Sequence, residues 1–139
     1  SNLPTICADI RSYGSQLGYL ATKSFLAKPS PPTAVLAGTD PIASGIYTAL
    51  RELGRSVPGD MSIMGFNDTL GTLMSPPLTT MREFPEEIGR HMAEFALSRI
   101  ENPDLAPREM TIPTQLMLRE SVATYRAAET MPEPVSAVG

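Results

Sequence analysis

Residue types that mark several classes of protein are scarce in this chain of 139 residues. It has one cysteine, one histidine and no tryptophan. The single cysteine, Cys7, excludes an internal disulfide, and its apolar surroundings are typical of a small core residue. The single histidine, His91, has no second histidine or cysteine at the spacing of metal ligands. We therefore expect no disulfide framework, no zinc site and no cofactor.

Basic clusters and long apolar runs are missing as well. Eleven lysines and arginines stand against fifteen aspartates and glutamates, a net charge of −4, and no patch of positive charge has the density that binds a phosphate backbone. No apolar run approaches the roughly 18 residues of a membrane span. We expect neither tight nucleic-acid binding by these residues nor a membrane segment. The hydrophobic content of 42% is still enough for the core of one domain.

Catalytic motifs are equally hard to find. No Gly-x-Ser-x-Gly nucleophile elbow and no Walker-type loop occur, and the segment from Gly14 to Gly18 lacks the third glycine of a dinucleotide fingerprint. Asp40 and Asp68 could form the paired carboxylates of a phosphoryl-transfer or hydrolytic site, but helix capping explains each of them more simply. An enzyme is therefore the weaker interpretation.

The clearest positive signal is a central strand–helix–strand unit. An apolar run over 33–37 predicts a buried strand, and Asp40 followed by Pro41 predicts the capped start of a helix that ends at Gly54. A second apolar run over 61–66 predicts the next strand, about 30 residues further on, the length of a βαβ unit. Apolar residues recur through the helix at helical spacing: Ile42, Ile46, Ala49, Leu50 and Leu53.

Polar residues follow both strands of this unit. Thr39 and Asp40 come after the first strand, and Asn67 and Asp68 come after the second. Carboxyl ends of parallel strands share one edge of a sheet, where ligands of open α/β folds bind. The spacing predicts a binding edge there, provided that the two strands are parallel neighbours.

The other segments continue the alternation of strands and helices. They are a strand over 3–8, a helix over 15–27, one helical turn over 69–74 capped by Asp68, an extended stretch over 78–82, an amphipathic helix over 85–100 and a strand over 108–118 that Pro113 places at an edge. From Thr124 the composition predicts disorder. The fold class is α/β, an open and mostly parallel sheet with helices on both faces.

A long ordered set of motifs resembles the effector-binding domain of the LacI/GalR transcriptional regulators, over roughly residues 5–123. The set comprises Pro32-Thr33-Ala34-Val35, Thr39-Asp40, Ala43-Ser44-Gly45, Ala49-Leu50-Arg51-Glu52-Leu53-Gly54, Val57-Pro58-Gly59-Asp60, Ser62-Ile63-Met64-Gly65-Phe66-Asn67-Asp68, Ser75-Pro76-Pro77-Leu78-Thr79-Thr80-Met81-Arg82 and Leu118-Arg119-Glu120-Ser121.

The resemblance implies one lobe of a two-lobed, periplasmic-binding-protein-like domain, incomplete in this sequence. Residues 3–82 would form the C-terminal lobe, and 83–123 a crossover helix and strand that belong to a missing first lobe. Residues 124–139 would be a disordered tail. Apolar surface is expected where the first lobe would pack. The helix-turn-helix that binds DNA in full-length members is absent from the sequence.

The resemblance also implies roles for individual residues. Tyr13 matches an aromatic position that stacks on sugar or base ligands. Thr39, Asn67 and Glu83 match positions that bind the effector, and all three differ from the residue that is frequent there. Asp40 and Asp68 match positions of support or capping.

The implied partners are a small effector, such as a sugar, a nucleoside or a related polar metabolite, and a second copy of the chain. The homodimer would use Ile42, Ile46, Leu70, Leu73 and Met74. Such a protein is cytoplasmic, senses its effector by lobe closure and touches DNA only through its N-terminal head. One alternative is a periplasmic sugar-binding protein of the same architecture, and the weaker one is an α/β enzyme that uses Asp40 and Asp68.

Overall fold

The computed structural model describes residues 14–124. Its elements are α1 (Ser15–Leu26), β1 (Ala34–Leu36), α2 (Asp40–Glu52), β2 (Ser62–Asn67), β3 (Thr79–Arg82), α3 (Pro85–Glu101) and β4 (Gln115–Met117). The proposed ligand residue Tyr13, Cys7, the predicted strand over 3–8 and the tail from Tyr125 lie outside the described residues.

The strands form one sheet in the order β1-β2-β3-β4. The neighbours β1 and β2 are parallel, as are β2 and β3, whereas β4 runs antiparallel to β3. The predicted α/β class with a mostly parallel sheet is therefore confirmed. The last strand is shorter than predicted and lies at an edge of the sheet, and it begins two residues after Pro113, which cannot donate to a ladder.

The central βαβ unit forms as predicted, with one correction at the start of its helix. Thr39, with φ −151°, is the N-cap, and its side chain accepts a hydrogen bond from the Ile42 N–H. Asp40 is already inside α2, so the prediction that it caps the helix is wrong. At the other end Gly54 has φ +66°, the left-handed conformation that closes helices, and confirms the predicted stop.

The core lies between the two helices α1 and α2 and one face of the sheet. Its buried members are Phe25, Ala37, Ala43, Ile46, Leu50, Met61, Ile63 and Leu78. The two helices approach to backbone contact: a Cβ on Gly18 would lie 2.0 Å from the Ile42 carbonyl oxygen, and one on Gly45 would lie 1.8 Å from that of Ser15.

The opposite face of the sheet has a different environment. Successive strand residues point to opposite faces, and while Ile63 is fully buried, Met64 and Phe66 on β2 are only half-buried. Leu36, the partner of Met64 on β1, is 71% exposed. Helices were expected on both faces, but among residues 14–124 only one face has such a cover.

Residues 83–123 were predicted to belong to a missing first lobe. For α3 this assignment stays a prediction, whereas the segment after α3 belongs to the described lobe. No residue of α3 is buried, whereas β4 pairs with β3 in the main sheet. The Ile63 N–H then donates to the Ser121 carbonyl oxygen at 2.8 Å, and the Glu120 N–H donates to that of Pro77 at 3.1 Å. Backbone hydrogen bonds thus hold the segment after α3 on β2, on β3 and on Pro77, which precedes β3.

Candidate functional site

Three chain segments end at the same edge of the sheet. Because β1, β2 and β3 are parallel neighbours, their carboxyl ends lie together. Leu36 pairs with Met64, so Thr39 and Asn67 each stand three residues beyond a paired position. Asn67 in turn pairs with Arg82, the residue before Glu83. The sequence condition for a binding edge is met, and we call Thr39, Asn67 and Glu83 the rim.

The three rim residues offer different hydrogen-bonding groups. Thr39 has a hydroxyl that accepts from the Ile42 N–H at 3.4 Å and keeps its proton to donate. The Asn67 side-chain oxygen accepts from the Thr69 hydroxyl at 3.1 Å, which leaves its amide N–H groups to donate. Glu83 is half-buried at the end of β3 and contributes a carboxylate, an acceptor.

The chain turns sharply after β2. Asn67 has φ +86° and Asp68 has φ +54°, two consecutive non-glycine residues in the left-handed region. Asparagine and aspartate adopt this region more readily than other residues do, yet two in succession are uncommon. Such backbone conformations concentrate at ligand sites and need support from their surroundings.

Asp68 receives that support from two arginines. Arg119 donates from Nη1 to Oδ1 at 2.7 Å and from Nη2 to Oδ2 at 3.1 Å, and Arg82 donates from Nε to Oδ2 at 2.8 Å. The side chain of Asp68 is only 4% exposed. The Arg119 guanidinium, together with Arg82, lowers the pKa of the Asp68 carboxyl. The hydrogen bonds to Asp68 in turn raise the pKa of Arg119. We call Asp68, Arg82 and Arg119 the clamp.

A second carboxylate lies beneath the rim and joins other segments. Asp40 is fully buried; its Oδ1 accepts from the Thr80 hydroxyl at 2.7 Å and its Oδ2 from the Leu70 N–H at 3.0 Å. It thereby links α2, the loop after β2 and β3. A Cβ on Gly65 would lie 2.4 Å from Asp40 Oδ1, so this position of β2 leaves room for the carboxylate.

These contacts bear on the interpretation of Asp40 and Asp68 as catalytic carboxylates. Asp40 is buried with both oxygens bonded, and two arginines hold Asp68 in its charged form, so neither is placed to act as a general acid or base. Asp68 does not cap the following turn either, because its oxygens face the arginines. Residues 69–74 form turns rather than a helix. Both aspartates support the edge from below.

Metal chemistry and membrane insertion gain no support from the described part of the chain. Residues 14–124 contain no group of three His, Cys, Asp or Glu side chains arranged for a metal ion. In the same range, no helix has the length and apolar character to cross a bilayer. His91 lies on α3 between Glu87 and Glu94, with Nδ1 3.1 Å from Glu94 Oε2.

The five residues expected at a dimer interface differ in exposure. Ile46 is only 2% exposed and belongs to the core, so its assignment to an interface is wrong. Its helical spacing reflects packing within the lobe. Leu73 is 79% exposed, whereas Ile42, Leu70 and Met74 are half-buried. Leu73 is thus the one apolar side chain of this set that lies fully in solvent.

Several supporting residues escaped the sequence argument. Arg82, Arg119 and Thr80 hold the two aspartates, while the Ser121 hydroxyl donates to the Ile63 carbonyl oxygen and accepts from the Thr79 N–H at 2.6 and 2.8 Å. Arg119 and Ser121 belong to the closing motif Leu118-Arg119-Glu120-Ser121 of the resemblance. The only signal in the sequence was a charged residue and a hydroxyl residue directly after a predicted strand. No spacing rule connects these two residues to partners 40 to 60 positions away.

Hollows on the described surface lie elsewhere, along α3. One is lined by Phe95, Arg99, Leu105 and neighbouring residues, and another by Ile88, Met92 and Met110 among others. They lie between an uncovered helix and the loop after it, and carry few convergent polar groups. The rim, by contrast, is an open edge, which is the geometry of one wall of a cleft rather than of a closed pocket.

Comparison with known proteins places this geometry in context. Residues 7–122 match the model of the periplasmic binding protein-like domain. The ribose operon repressor of Haemophilus influenzae is 40% identical over 78% of the chain, and the lactose operon repressor of Rhizobium radiobacter is 36% identical over 76%. The chain spans 33% of the first relative's length and 94% of the second's.

Solved structures agree with the sequence relatives. A LacI family transcriptional regulator from Enterococcus faecalis, solved with bound ribose, superposes with a TM-score of 0.77 at 34% identity, over 83% of this chain and 43% of that one. A LacI family regulator from Arthrobacter in complex with lactose gives a TM-score of 0.67 at 31% identity, over 79% and 42%. The described lobe therefore occurs in larger, sugar-bound proteins.

Proposed function

The chain belongs to the LacI family and carries its periplasmic binding protein-like domain, and from this premise we propose that it is an effector-sensing lobe of a transcriptional regulator. The effector is a neutral sugar, and Thr39, Asn67 and Glu83 are its contacts in this lobe. Tyr13, outside the described residues, is a further proposed contact. We place the protein with cytoplasmic regulators and assign it no catalytic role.

The observation that carries the proposal is the meeting of the three rim residues at the carboxyl ends of three parallel strands. A hydroxyl, an amide and a carboxylate provide donors and acceptors for several sugar hydroxyls. Two arginines lie nearby, but both face Asp68. Their donors are engaged by that carboxylate, and the rim itself carries the negatively charged Glu83, which would repel a phosphate, so a neutral sugar is favoured over a sugar phosphate.

Sugar titration followed by NMR tests this proposal. Ribose, lactose and cellobiose are added to the ¹⁵N-labelled protein, with ribose 5-phosphate as the charged comparison. We expect shifts centred on Thr39, Asn67 and Glu83 and a dissociation constant on the order of 1 mM, because one open wall buries only part of a sugar.

Two variants sharpen the titration. Asn67→Ala removes a proposed contact and is expected to abolish the shifts, whereas Asn102→Ala, at the end of α3, is the matched control and leaves them unchanged. No shift at the rim with any of the three sugars would contradict the proposed site. Tighter binding of ribose 5-phosphate than of ribose would contradict the preference for a neutral ligand.

We further propose that the lobe forms a homodimer through the surface around Leu73, with Ile42, Leu70 and Met74 at its margin. Leu73 is 79% exposed in a loop that also carries the half-buried Leu70 and Met74, and such a loop is typical of an interaction surface. Leu73→Glu is expected to give a monomer in analytical ultracentrifugation, while Leu20→Glu on α1 leaves the dimer intact. A wild-type protein that is monomeric at high concentration would contradict this assignment.

The exposed apolar face of α3 is proposed to pack against another lobe of the regulator. Met92, Leu97 and Ile100 are 66%, 60% and 75% exposed, and several exposed apolar side chains on one helix mark an interaction surface. DNA contact is assigned to a separate head, because the chain has a net charge of −4 and no basic cluster. Gel-shift titration with this protein is expected to show no operator binding at nanomolar concentration.

A further inference from the structure

The segment after β4 reaches back to the rim, and this contact has a consequence for the proposed sugar site. Arg119 lies beyond α3 and β4 in the chain, yet its guanidinium bonds Asp68 with both terminal nitrogens and also donates to the Leu78 carbonyl oxygen at 2.7 Å. Its own N–H donates to Thr79 Oγ1 at 2.9 Å. Arg119 is therefore also hydrogen-bonded to the start of β3 and to the residue that precedes it, in addition to its contact with Asp68.

Arg119 contacts Asp68 in the turn whose backbone dihedral angles are unfavourable for residues other than glycine. Asp68 and its neighbour Asn67 are the two non-glycine residues with positive φ in the described chain. Space around this turn is also limited, because a Cβ on Gly71 would lie 2.0 Å from Arg119 Nη1 and 2.3 Å from Asp68 Oδ1. A planar, bidentate guanidinium fixes the carboxylate in direction as well as in distance.

We propose that Arg119 is a positioning residue: through Asp68 it holds the Asn67–Asp68 turn in its left-handed conformation and so aims the Asn67 amide at the sugar. Arg82 is the second anchor, and because it precedes Glu83, the same clamp fixes two of the three rim residues. The inference rests on the proposed sugar site for its effect on affinity. Its effect on the backbone of Asn67 is independent of any ligand.

The first experiment uses the ligand-free protein. Arg119→Gln keeps most of the side chain's length but removes the charge and the bidentate fork. Three-bond HN–Hα couplings and Cα and Cβ chemical shifts then report φ at Asn67 and Asp68. We expect both residues to leave the left-handed region or to average over several conformations. Unchanged couplings and shifts at both positions would overturn the inference, whatever the protein binds.

The second experiment measures sugar affinity in the folded population by NMR. Arg119→Gln is expected to weaken binding about tenfold, the scale on which outer partners that orient a ligating group act. Arg119→Lys retains the charge without the fork and is expected to recover only part of the loss. Equal affinity of the wild-type and Arg119→Gln proteins would overturn the positioning role.

Two controls separate positioning from loss of stability. Ser121→Ala removes two buried hydrogen bonds from the same segment without touching Asp68, so it destabilises the fold and leaves affinity unchanged. Arg55→Gln removes an Arg–Asp pair from the loop before β2, at the opposite end of the strand. We expect this variant to change neither the stability of the fold nor the affinity for the sugar. If Ser121→Ala weakened binding as much as Arg119→Gln, the effect would be general and the inference wrong. A wild-type protein that binds no sugar but whose turn changes in Arg119→Gln would refute the sugar site and leave the turn's anchor established.

Discussion

Helices α2 and α3 are both amphipathic and begin alike, with proline in the first turn and acidic residues close by, yet their surroundings differ completely. Six of the 13 residues of α2 are buried, whereas none of the 17 residues of α3 is. An apolar stripe thus predicts which face of a helix tends to be buried, but not which element buries it. Among residues 14–124, α1 and the sheet cover α2, whereas the apolar side chains Met92, Leu97 and Ile100 of α3 are exposed.

The same contrast holds for the ionic contacts of the two regions. The clamp joins three segments of the fold, and its Asp68 and Arg119 side chains are 4% and 13% exposed, while the pair Arg90–Glu94 of α3 is exposed and joins only one turn to the next. Exposed pairs of this kind contribute little to stability. We expect the region around α2 to unfold as one cooperative unit and α3 to depend on local interactions.

The largest expected difference comes from removing one leucine from each region. Leu50 is 1% exposed and belongs to the core, and Leu97 on α3 is 60% exposed. Leu50→Ala should lower the free energy of unfolding by about 3 kcal/mol, since it leaves a cavity in the core. Leu97→Ala should change it by less than about 0.5 kcal/mol. Urea denaturation followed by circular dichroism gives both values, and similar losses would mean that α3 has a buried face.

The close approach of α1 and α2 gives the next largest effect. A Cβ on Gly45 would lie 1.8 Å from the Ser15 carbonyl oxygen, which belongs to backbone and cannot rotate away. Gly45→Ala should therefore cost about 2 to 3 kcal/mol by forcing the helices apart. Gly38→Ala is the matched control, because nothing lies within 4 Å of its added methyl group. A Gly45→Ala protein as stable as the wild type would show that the helices separate easily.

Acid should distinguish the clamp from the exposed pairs. The folded state lowers the pKa of Asp68 below its ordinary value of 3.8, so it favours the charged carboxylate. The resulting stability is complete above about pH 4 and is lost as the pH falls through the folded-state pKa. Asp68→Asn should cost about 2 kcal/mol at pH 7, because it breaks a charged and nearly buried contact.

Other carboxylates titrate in the same range and need a control. Asp60, held by Ser56 and Arg55, has a pKa lowered to about 2 but is exposed, and Glu94 has its pKa lowered by Arg90 on α3. Urea denaturation from pH 5 to pH 2 should therefore be less pH-dependent in Asp68→Asn than in the wild type, and nearly unchanged in Glu94→Gln. A larger change in Glu94→Gln would contradict the ranking of the two regions.

The sequence predicted the local elements well because their signals are local. Apolar runs, the Pro41 start and the Gly54 stop lie within a few residues of the structure they form, and the spacing of the two runs was enough to place Thr39 and Asn67 at one edge. The helix over 85–100 was also correct to within one residue. Parallel pairing followed from the length of the connection, which is a topological rule.

The errors concern contacts that no local pattern encodes. Asp40 looks like a cap because it precedes proline, but its carboxylate is bonded to Thr80 and to the Leu70 N–H, 40 and 30 positions away. Ile46 was assigned to a dimer interface, although helical periodicity cannot tell a core from an interface. Arg119 was part of a motif, yet only the antiparallel return of β4 brings it to Asp68.

The smallest expected effect tests whether anything approaches α3 closely. Gly89 is exposed inside the helix, and a Cβ there would meet nothing within 4 Å. Gly89→Ala should therefore stabilise α3 by about 0.5 to 1 kcal/mol, because alanine loses less backbone entropy on entering a helix.

The gain in stability from Gly89→Ala should be detectable in a measurement that reports on α3 alone, such as the exchange of its amide hydrogens. Since α3 has no buried residue, we expect its amides to exchange more slowly in the variant while the urea midpoint of the α2 region stays unchanged. Hydrogen exchange with mass spectrometry resolves the two helices in one experiment. Faster exchange in Gly89→Ala would mean that a second lobe or a second chain packs against Gly89 as closely as α1 packs against Gly45. The two glycines would then be equivalent, and the difference between the regions would lie in which partner is present.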